Sequence, residues 1–299
     1  MNKIIVLDFG IFMHRSIFSY VNNPQIPPTY TCLSMMLGCL KRIGIEPDDT
    51  VFIATDKGHS WRKEIDVNYK ANRKEARERL PINWDKHFKE MDILLEKIDM
   101  ATDWHILSEM TFEADDWMAV ISRHYPDKEI VLVTYDKDLE QMFIYPNVRI
   151  FSPMTKKYKI PPKNFNINKF IDQKIAKETT DNLVNPIISQ EDYEKRNTII
   201  NLLELPAFVE NTIVNRLNNL PEKEMNIELI PFNNIRQNFM SIYNSDKIIT
   251  YDKCQKQLER KMRLKARPKS KCCNALAVIR GRTTKYYVCT KCKKACDTK

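Results

Sequence analysis

Glycine is scarce in this chain: five in 299 residues, and none between Gly58 and Gly281. Long apolar runs are missing as well. No stretch is long enough to span a bilayer, which excludes a helical membrane protein as a reading of the sequence. Met1-Asn2-Lys3 leads straight into Ile4-Ile5-Val6-Leu7, and Asp8 ends that run. The start therefore reads as a first strand and not as a secretory signal. Without a secretory context, the eight cysteines argue against a disulfide framework. Acids are nearly absent from the tail. From Lys253 onward sixteen Lys/Arg face two Asp/Glu, a net of about +14, so the remainder of a chain of net charge +9 carries about −5. An acidic body with a basic tail suits a metal-dependent enzyme that approaches a polyanion, and a merely solubilising tail is the bland alternative. A soluble cytoplasmic protein of one or two domains is expected.

What the chain does have is alternation. Residues 3–7, 51–55, 104–107, 130–134 and 147–151 are short apolar runs rich in β-branched residues and read as strands. Residues 31–43, 84–100 and 112–124 have helical apolar spacing. Strands alternating with helices predict an α/β fold with a parallel sheet and helices on both faces. Residues 161–250 are helix-rich and polar, with helical spacing over 194–220 broken at Pro206. The organisation expected is a catalytic domain over 1–160, a helical duplex-binding subdomain over 161–252, a basic linker over 253–271 and a cysteine module over 272–299.

Two acidic clusters carry the chemistry. Phe112-Glu113-Ala114-Asp115-Asp116 opens a helix, and Tyr135-Asp136-Lys137-Asp138 follows a strand. Asp8, Asp56 and Asp136 each directly follow an apolar strand. In a parallel sheet those ends share one edge, where ligands bind. A single Asp in that position reads as a helix N-cap. Three of them, with Glu113 and Asp115 added, favour a metal site instead. Gathered carboxylates repel unless a cation neutralises them, and oxygen-only donors suit magnesium or manganese. Such a cluster is a candidate for phosphodiester chemistry with two metals. Beside it, Lys70, Arg73, Lys74, Arg77 and Arg79 make a basic stretch. It reads as a phosphate grip, or as ordinary solvated helix.

Five cysteines crowd the tail: Cys272, Cys273, Cys289, Cys292 and Cys296. Cys272-Cys273 and Cys289-x-x-Cys292 have zinc-ribbon spacing. A tetrahedral site needs four of the five. Cys289 and Cys292 are expected ligands, and the other two come from Cys272, Cys273 and Cys296. Adjacent cysteines rarely ligate together, so Cys272 or Cys273 with Cys296 is the favoured pair. A module this short needs its zinc to fold. Cys32, Cys39 and Cys254 stand apart and read as small apolar residues.

With these residues in hand, the chain resembles the 5′-to-3′ exonuclease and flap endonuclease superfamily, and within it the phage replication ribonuclease H branch. Four stretches carry the likeness: Val6-Leu7-Asp8-Phe9-Gly10; Asp56 followed by Ser60-Trp61-Arg62-Lys63-Glu64 and Tyr69-Lys70-Ala71-Asn72-Arg73; residues 113–116; and residues 132–139. Tyr145-Pro146-Asn147-Val148, Phe151-Ser152-Pro153-Met154 and Lys156-Lys157 add the phage-type likeness, which spans roughly residues 1–245. The resemblance implies a PIN-like sheet and removal of RNA primers and 5′ flaps from DNA, with flapped or primer-bearing DNA and RNA–DNA hybrid as partners. It implies two magnesium (or manganese) sites. Asp8, Asp56, Glu113 and Asp115 would serve the first, with Asp116 close by; Asp136 and Asp138 would serve the second, completed by Glu178 and Asp181. One metal would generate hydroxide from bound water and the other stabilise the leaving 3′ oxygen. Lys70 and Arg73 would hold phosphate, in an arch through which the 5′ strand passes. Lys74, Arg77, Lys265 and Arg267 are further candidates for the nucleic-acid backbone. Trp61 and Tyr69 would either stack on unpaired bases or pack the arch. The family's usual Gly-Asp-x-x-Asp-Asn stretch is altered here to Lys177-Glu178-Thr179-Thr180-Asp181-Asn182. The glycine-rich hairpin that grips duplex in many members is absent or remodelled here, because the glycines are missing. A monomer is expected, with replication proteins as partners of the ribbon and a host-cytoplasmic location if the chain is phage-encoded. Rival readings are a PIN-type ribonuclease on RNA, a catalytically weakened nucleic-acid-binding protein and a zinc-ribbon transcription regulator.

Overall fold

A computed structural model describes residues 2–176, 189–230, 232–241, 251–265, 268–275, 277–280 and 286–298. The chain divides into two compact units, Met1–Ile249 and Thr250–Lys299. The first unit runs β1 (Lys3–Asp8), α1 (Phe9–Asn22), α2 (Pro28–Ile43), β2 (Thr50–Ala54), α3 (Arg62–Ile65), α4 (Asn72–Glu78), α5 (Trp84–Ala101), β3 (His105–Leu107), α6 (Ala114–His124) and β4 (Glu129–Val133). It continues with a 3-10 turn (Asp138–Ile144), β5 (Val148–Ser152), β6 (Lys157–Lys159), α7 (Ile167–Ile175), α8 (Gln190–Ile200), α9 (Ala207–Asn218) and α10 (Asn233–Met240).

The sheet order is β3-β2-β1-β4-β5-β6. β1 to β5 are parallel, with Leu7 opposite both Ile53 and Val133, while β6 returns antiparallel to β5. The expected parallel sheet is therefore parallel over five strands and closed by one antiparallel edge strand. A short turn after Ser152 brings the chain straight back, which no parallel crossover allows in so few residues. Both faces are covered. On one, Ile4, Val6, Phe52, Ile130, Leu132 and Ile150 pack against Trp117, Val120 and Ile121 of α6 and Val209 and Ile213 of α9. On the other, Ile5, Leu7, Ile53, Val131 and Val133 are equally buried. That two-sided burial is why the strands read as unbroken apolar runs. Strand order reverses between β1 and β4, and in open α/β sheets the crevice at such a switch point is the ligand site.

Residues 31–43 fall in α2, 84–100 in α5 and 112–124 around α6. The helical stretch over 194–220 is two helices: α8 ends at Ile200 and α9 restarts after Pro206, whose fixed φ suits a helix start. α7 and α8 are tied to the catalytic side by a small core of Tyr69, Ile171, Ile175, Ile199 and Ile200.

In the second unit, α11 (Tyr251–Lys265) replaces most of the expected linker by a helix. Gln, Lys, Arg, Met and Leu dominate it and neither Gly nor Pro intervenes before Pro268, so propensity alone favours a helix. β7 (Ala277–Arg280) and β8 (Tyr286–Cys289) then form an antiparallel hairpin. Among the described residues no helix is long and apolar enough to cross a membrane.

Candidate active site

Asp8 closes β1 and stands at the N-cap position of α1, yet makes no capping bond there. Its carboxylate accepts instead from the Thr134 hydroxyl at 2.9 Å, across the switch point. The same hydroxyl oxygen accepts from the Asp136 amide (3.0 Å), and Asp136 Oδ1 from the Asp138 amide (2.8 Å). One chain of bonds thus fixes the Asp8 and Asp136 carboxylates and the Asp138 backbone over the ends of β1 and β4. Asp56 lies beyond β2 and accepts from the Ala114 amide at 2.7 Å, in the first turn of α6. Gly58 allows that loop its shape: its φ is 70°, and a Cβ there would lie 2.4 Å from the Met110 carbonyl.

Asp8, Asp56, Asp115, Asp136 and Asp138 line one cleft of about 870 Å³, with Lys70 and Arg73 on its wall. Burial, then the Asp56 charge and that of Asp136, push the Asp8 carboxyl up to about 7. Burial and the charges of Asp136 and Asp8 hold Asp115 well above the usual carboxylate range. Converging carboxylates that resist ionising together are the donor set of a hard divalent cation, and their all-oxygen chemistry fits magnesium or manganese. At the second cluster, Lys174 of α7 pairs with Asp138. Lys159 donates to the Tyr135 and Asp136 carbonyls (3.3 and 3.2 Å) and to Glu140 (3.0 Å).

Glu113 and Asp116 sit differently. Asp116 is fully buried and accepts from Arg62 at 2.7 Å and 3.2 Å, from Trp61 Nε1 at 3.1 Å and from the Glu113 amide at 2.9 Å. It is a fixed anchor for the start of α6. Glu113 accepts from Arg62 (3.2 Å), the Tyr69 hydroxyl (2.8 Å) and Lys70 (2.7 Å). Burial alone would raise its pKa, but Lys70 and Arg62 hold it below its ordinary value. Trp61 and Tyr69 are each 3% exposed, so of the two readings for these rings packing is the one realised. Lys70 has φ 56°, a left-handed backbone of the kind that collects at functional sites.

Sequence reasoning missed the partners more than the acids. Arg62, 2% exposed, also donates to the Ile199 carbonyl of α8 at 2.9 Å, so one guanidinium joins α3, α6 and α8. Its signal was a position inside the Ser60–Glu64 stretch, with nothing to mark it as buried. Thr134 looked like the last residue of an apolar strand, and Lys174 like surface charge. Arg73 faces the cleft, while the Arg77 guanidinium lies 5.9 Å from the Phe88 ring. Glu178, Asp181 and Arg267 lie outside the described residues, as do the side chains of Lys74 in α4 and Lys265 at the end of α11.

In the second unit, the thiols of Cys272, Cys273, Cys289 and Cys292 all lie within 4.8 Å of one another. This corrects the favoured pairing of one of Cys272 and Cys273 with Cys296: the two adjacent cysteines both join and Cys296 stays outside that group. Two matching turns explain it. Cys289 N donates to Lys294 O (2.9 Å) and Lys293 N to Cys289 O (2.9 Å); Ser270 N donates to Ala275 O (2.8 Å) and Asn274 N to Ser270 O (3.0 Å). Lys293 and Asn274 both take positive φ, 62° and 50°. Ser270 thus stands where Cys289 stands, and Cys273 where Cys292 stands. The fourth thiol is Cys272, 3.7 Å from Cys292. The Ser270 hydroxyl, first, and nearby backbone amides lower the Cys289 thiol to about 6, which suits a metal-ligating thiolate.

Fold and cleft together define an α/β protein with a carboxylate-lined cleft at its switch point. The sequence profile of the 5′-3′ exonuclease N-terminal resolvase-like domain matches residues 3–194, and the chain belongs to that family. Ribonuclease H of Enterobacteria phage T4 is 30% identical over 104 residues, which is 34% of each protein. The match thus spans about a third of that curated relative. The T5 D15 protein co-crystallized with metal ions shares the fold at a TM-score of 0.51 and 17% identity, over 81% of this chain and 85% of that one. So does the bacteriophage T5 D15 flap endonuclease in a complex with DNA and metal ions, at 0.51 and 18%, over 81% and 85%.

Proposed function

We propose that this chain is a metal-dependent 5′-to-3′ exonuclease and flap endonuclease that hydrolyses RNA primers and 5′ flaps on DNA. One observation carries the reading: five carboxylates meet at the switch point of the sheet beside Lys70 and Arg73. Family membership and the likeness to phage ribonuclease H support it. Asp8, Asp56, Asp115 and Asp136 would hold magnesium or manganese, with Asp138 on the flank; the bound ions would supply activated water and charge neutralisation at the leaving oxygen. The chain's own residues do the rest. Lys70 and Arg73 bind and orient the phosphate for in-line attack. Thr134 keeps Asp8 and Asp136 in register, and Arg62 with Asp116 holds the start of α6. Glu113 holds Lys70 beside the cleft and, with Arg62 and the Tyr69 hydroxyl also on it, would be a further donor to a bound cation. The four-thiol cluster holds one structural zinc.

The test is a substrate panel with Mg²⁺: a 5′-flap duplex, a primer-bearing hybrid and single-stranded RNA. Flap and hybrid cleavage are expected, and Asp136→Asn combined with Asp138→Asn abolishes cleavage while binding persists. Cleavage of single-stranded RNA alone would favour a ribonuclease. No cleavage, and no heat of Mg²⁺ binding by calorimetry, would leave a nucleic-acid-binding protein.

A further inference from the structure

The hairpin of the second unit has a face that the metal cluster does not use. Ala277 pairs with Cys289, and both are buried at the cluster. Paired residues of an antiparallel ladder point the same way and successive residues alternate. Val278 with Val288, and Arg280 with Tyr286, therefore share the opposite face. Tyr286 is 49% exposed there, and Arg280 beside it is exposed too. An exposed aromatic next to an exposed guanidinium is not needed to fold a ribbon whose stability comes from its metal.

The charge around this face selects the occupant. From Arg260 to Cys296 the sequence has thirteen Lys/Arg and no Asp/Glu. Lys271, Lys291, Lys293 and Lys294 on the two turns are all exposed. A protein partner would have to match this with a wholly acidic surface, whereas a nucleic acid does so in any sequence. Stacking on an aromatic ring is open to every base, and arginine beside the ring takes the adjoining phosphate. We infer that the Arg280–Tyr286 face of the hairpin is a second nucleic-acid site, which binds single strand by stacking a base on Tyr286 and holding the neighbouring phosphate with Arg280. This site is separate from the cleft chemistry and stands whether or not the chain cleaves.

Fluorescence anisotropy tests it with the full-length protein, a labelled oligothymidine and no Mg²⁺, at several salt concentrations. Stacking is worth about 1–3 kcal/mol per base, so Tyr286→Ala should weaken binding roughly tenfold and Tyr286→Phe hardly at all. Arg280→Gln should flatten the salt dependence by about 0.7 in the log–log slope, the share of one phosphate on a single strand. Both effects should persist in a Lys70→Ala, Arg73→Ala background, since independent sites add. Zinc content is measured on every variant; if Tyr286→Ala loses its zinc, Arg280→Gln decides. Unchanged affinity and salt slope in zinc-loaded Arg280→Gln would overturn the inference and leave the face to an acidic protein. Absence of Mg²⁺-dependent cleavage by the unmutated protein, with oligothymidine binding intact, would count against the nuclease reading and not against this one.

Discussion

Asp8 and Arg62 show how the same burial serves opposite ends. Burial and neighbouring acids push Asp8 up to about 7 and hold Asp115 well above its ordinary value. A carboxyl with a raised folded pKa binds more protons folded than unfolded, so its effect is a loss of stability as pH rises from the ordinary carboxylate range through the folded value. Metal-free protein is therefore expected to melt lower at pH 8 than at pH 6 on account of this cluster, and millimolar MgCl₂ to raise Tm more at pH 8. Burial, first of all, lowers the pKa of His14 and His105, which act the other way near neutrality. Subtracting the Asp8→Asn profile from the wild-type profile isolates the carboxyl; identical profiles would show that Asp8 is not coupled to a cation. Arg62 is buried with its charge fully matched by Glu113 and Asp116. Arg62→Ala leaves buried Asp116 without a cationic partner and Glu113 with Lys70 alone, and is expected to cost about 3–5 kcal/mol in urea denaturation. Arg62→Lys restores a charge without the planar fork and should recover only part of it. An alanine variant as stable as the wild type would show that the hub is dispensable.

At the scale of elements, the loop from β2 to α3 is tightly constrained at one residue. The 2.4 Å approach to the Met110 carbonyl falls on Gly58, whose φ of 70° already disfavours any side chain. Gly58→Ala must move either Asp56 or the strand-end segment leading to Glu113. It is expected to lower cleavage well over tenfold and stability by about 1–3 kcal/mol, read by single-turnover rates and thermal melts. A variant with wild-type turnover would mean that Asp56 needs no exact placement. The same scale shows what sequence patterning delivers. Five strands and three long helices were legible because a two-sided core writes them as apolar runs and helical stripes. α1 was not: Phe9–Asn22 follows Asp8 without a capping bond and holds Gly10, three β-branched or aromatic residues in its first turn aside. β6 is three residues long with one buried side chain, too short to leave a pattern. The acids of the site were legible because each follows a strand or opens a helix. Their partners were not, because Thr134, Arg62 and Lys174 reach the site only through folding, over separations of 126, 51 and 36 residues.

Over the whole molecule, counting charge was enough to foresee an acidic body and a basic tail, and the two compact units place the division near residue 250. The membership of the four-thiol cluster was less legible. Spacing favoured Cys296, but the match of Ser270 with Cys289 in two like turns depends on Asn274 and Lys293 adopting positive φ, which asparagine tolerates but lysine does not advertise. The arrangement makes a sharp expectation. Cys296→Ser should retain one zinc per chain, whereas Cys273→Ser and Cys292→Ser should lose it, as measured by metal analysis of the purified full-length variants. Because a module of this size has too little core to fold without its ion, zinc loss is expected to unfold the hairpin while the cleft, with a core of its own, keeps its structure. Flap cleavage by Cys292→Ser should then show an unchanged kcat, a raised KM and a shallower dependence of kcat/KM on salt, because the basic tail no longer presents an ordered surface to phosphate. A collapse of kcat in that variant would instead tie the ribbon to the chemistry of the cleft, and zinc retained by Cys273→Ser would return Cys296 to the ligand set.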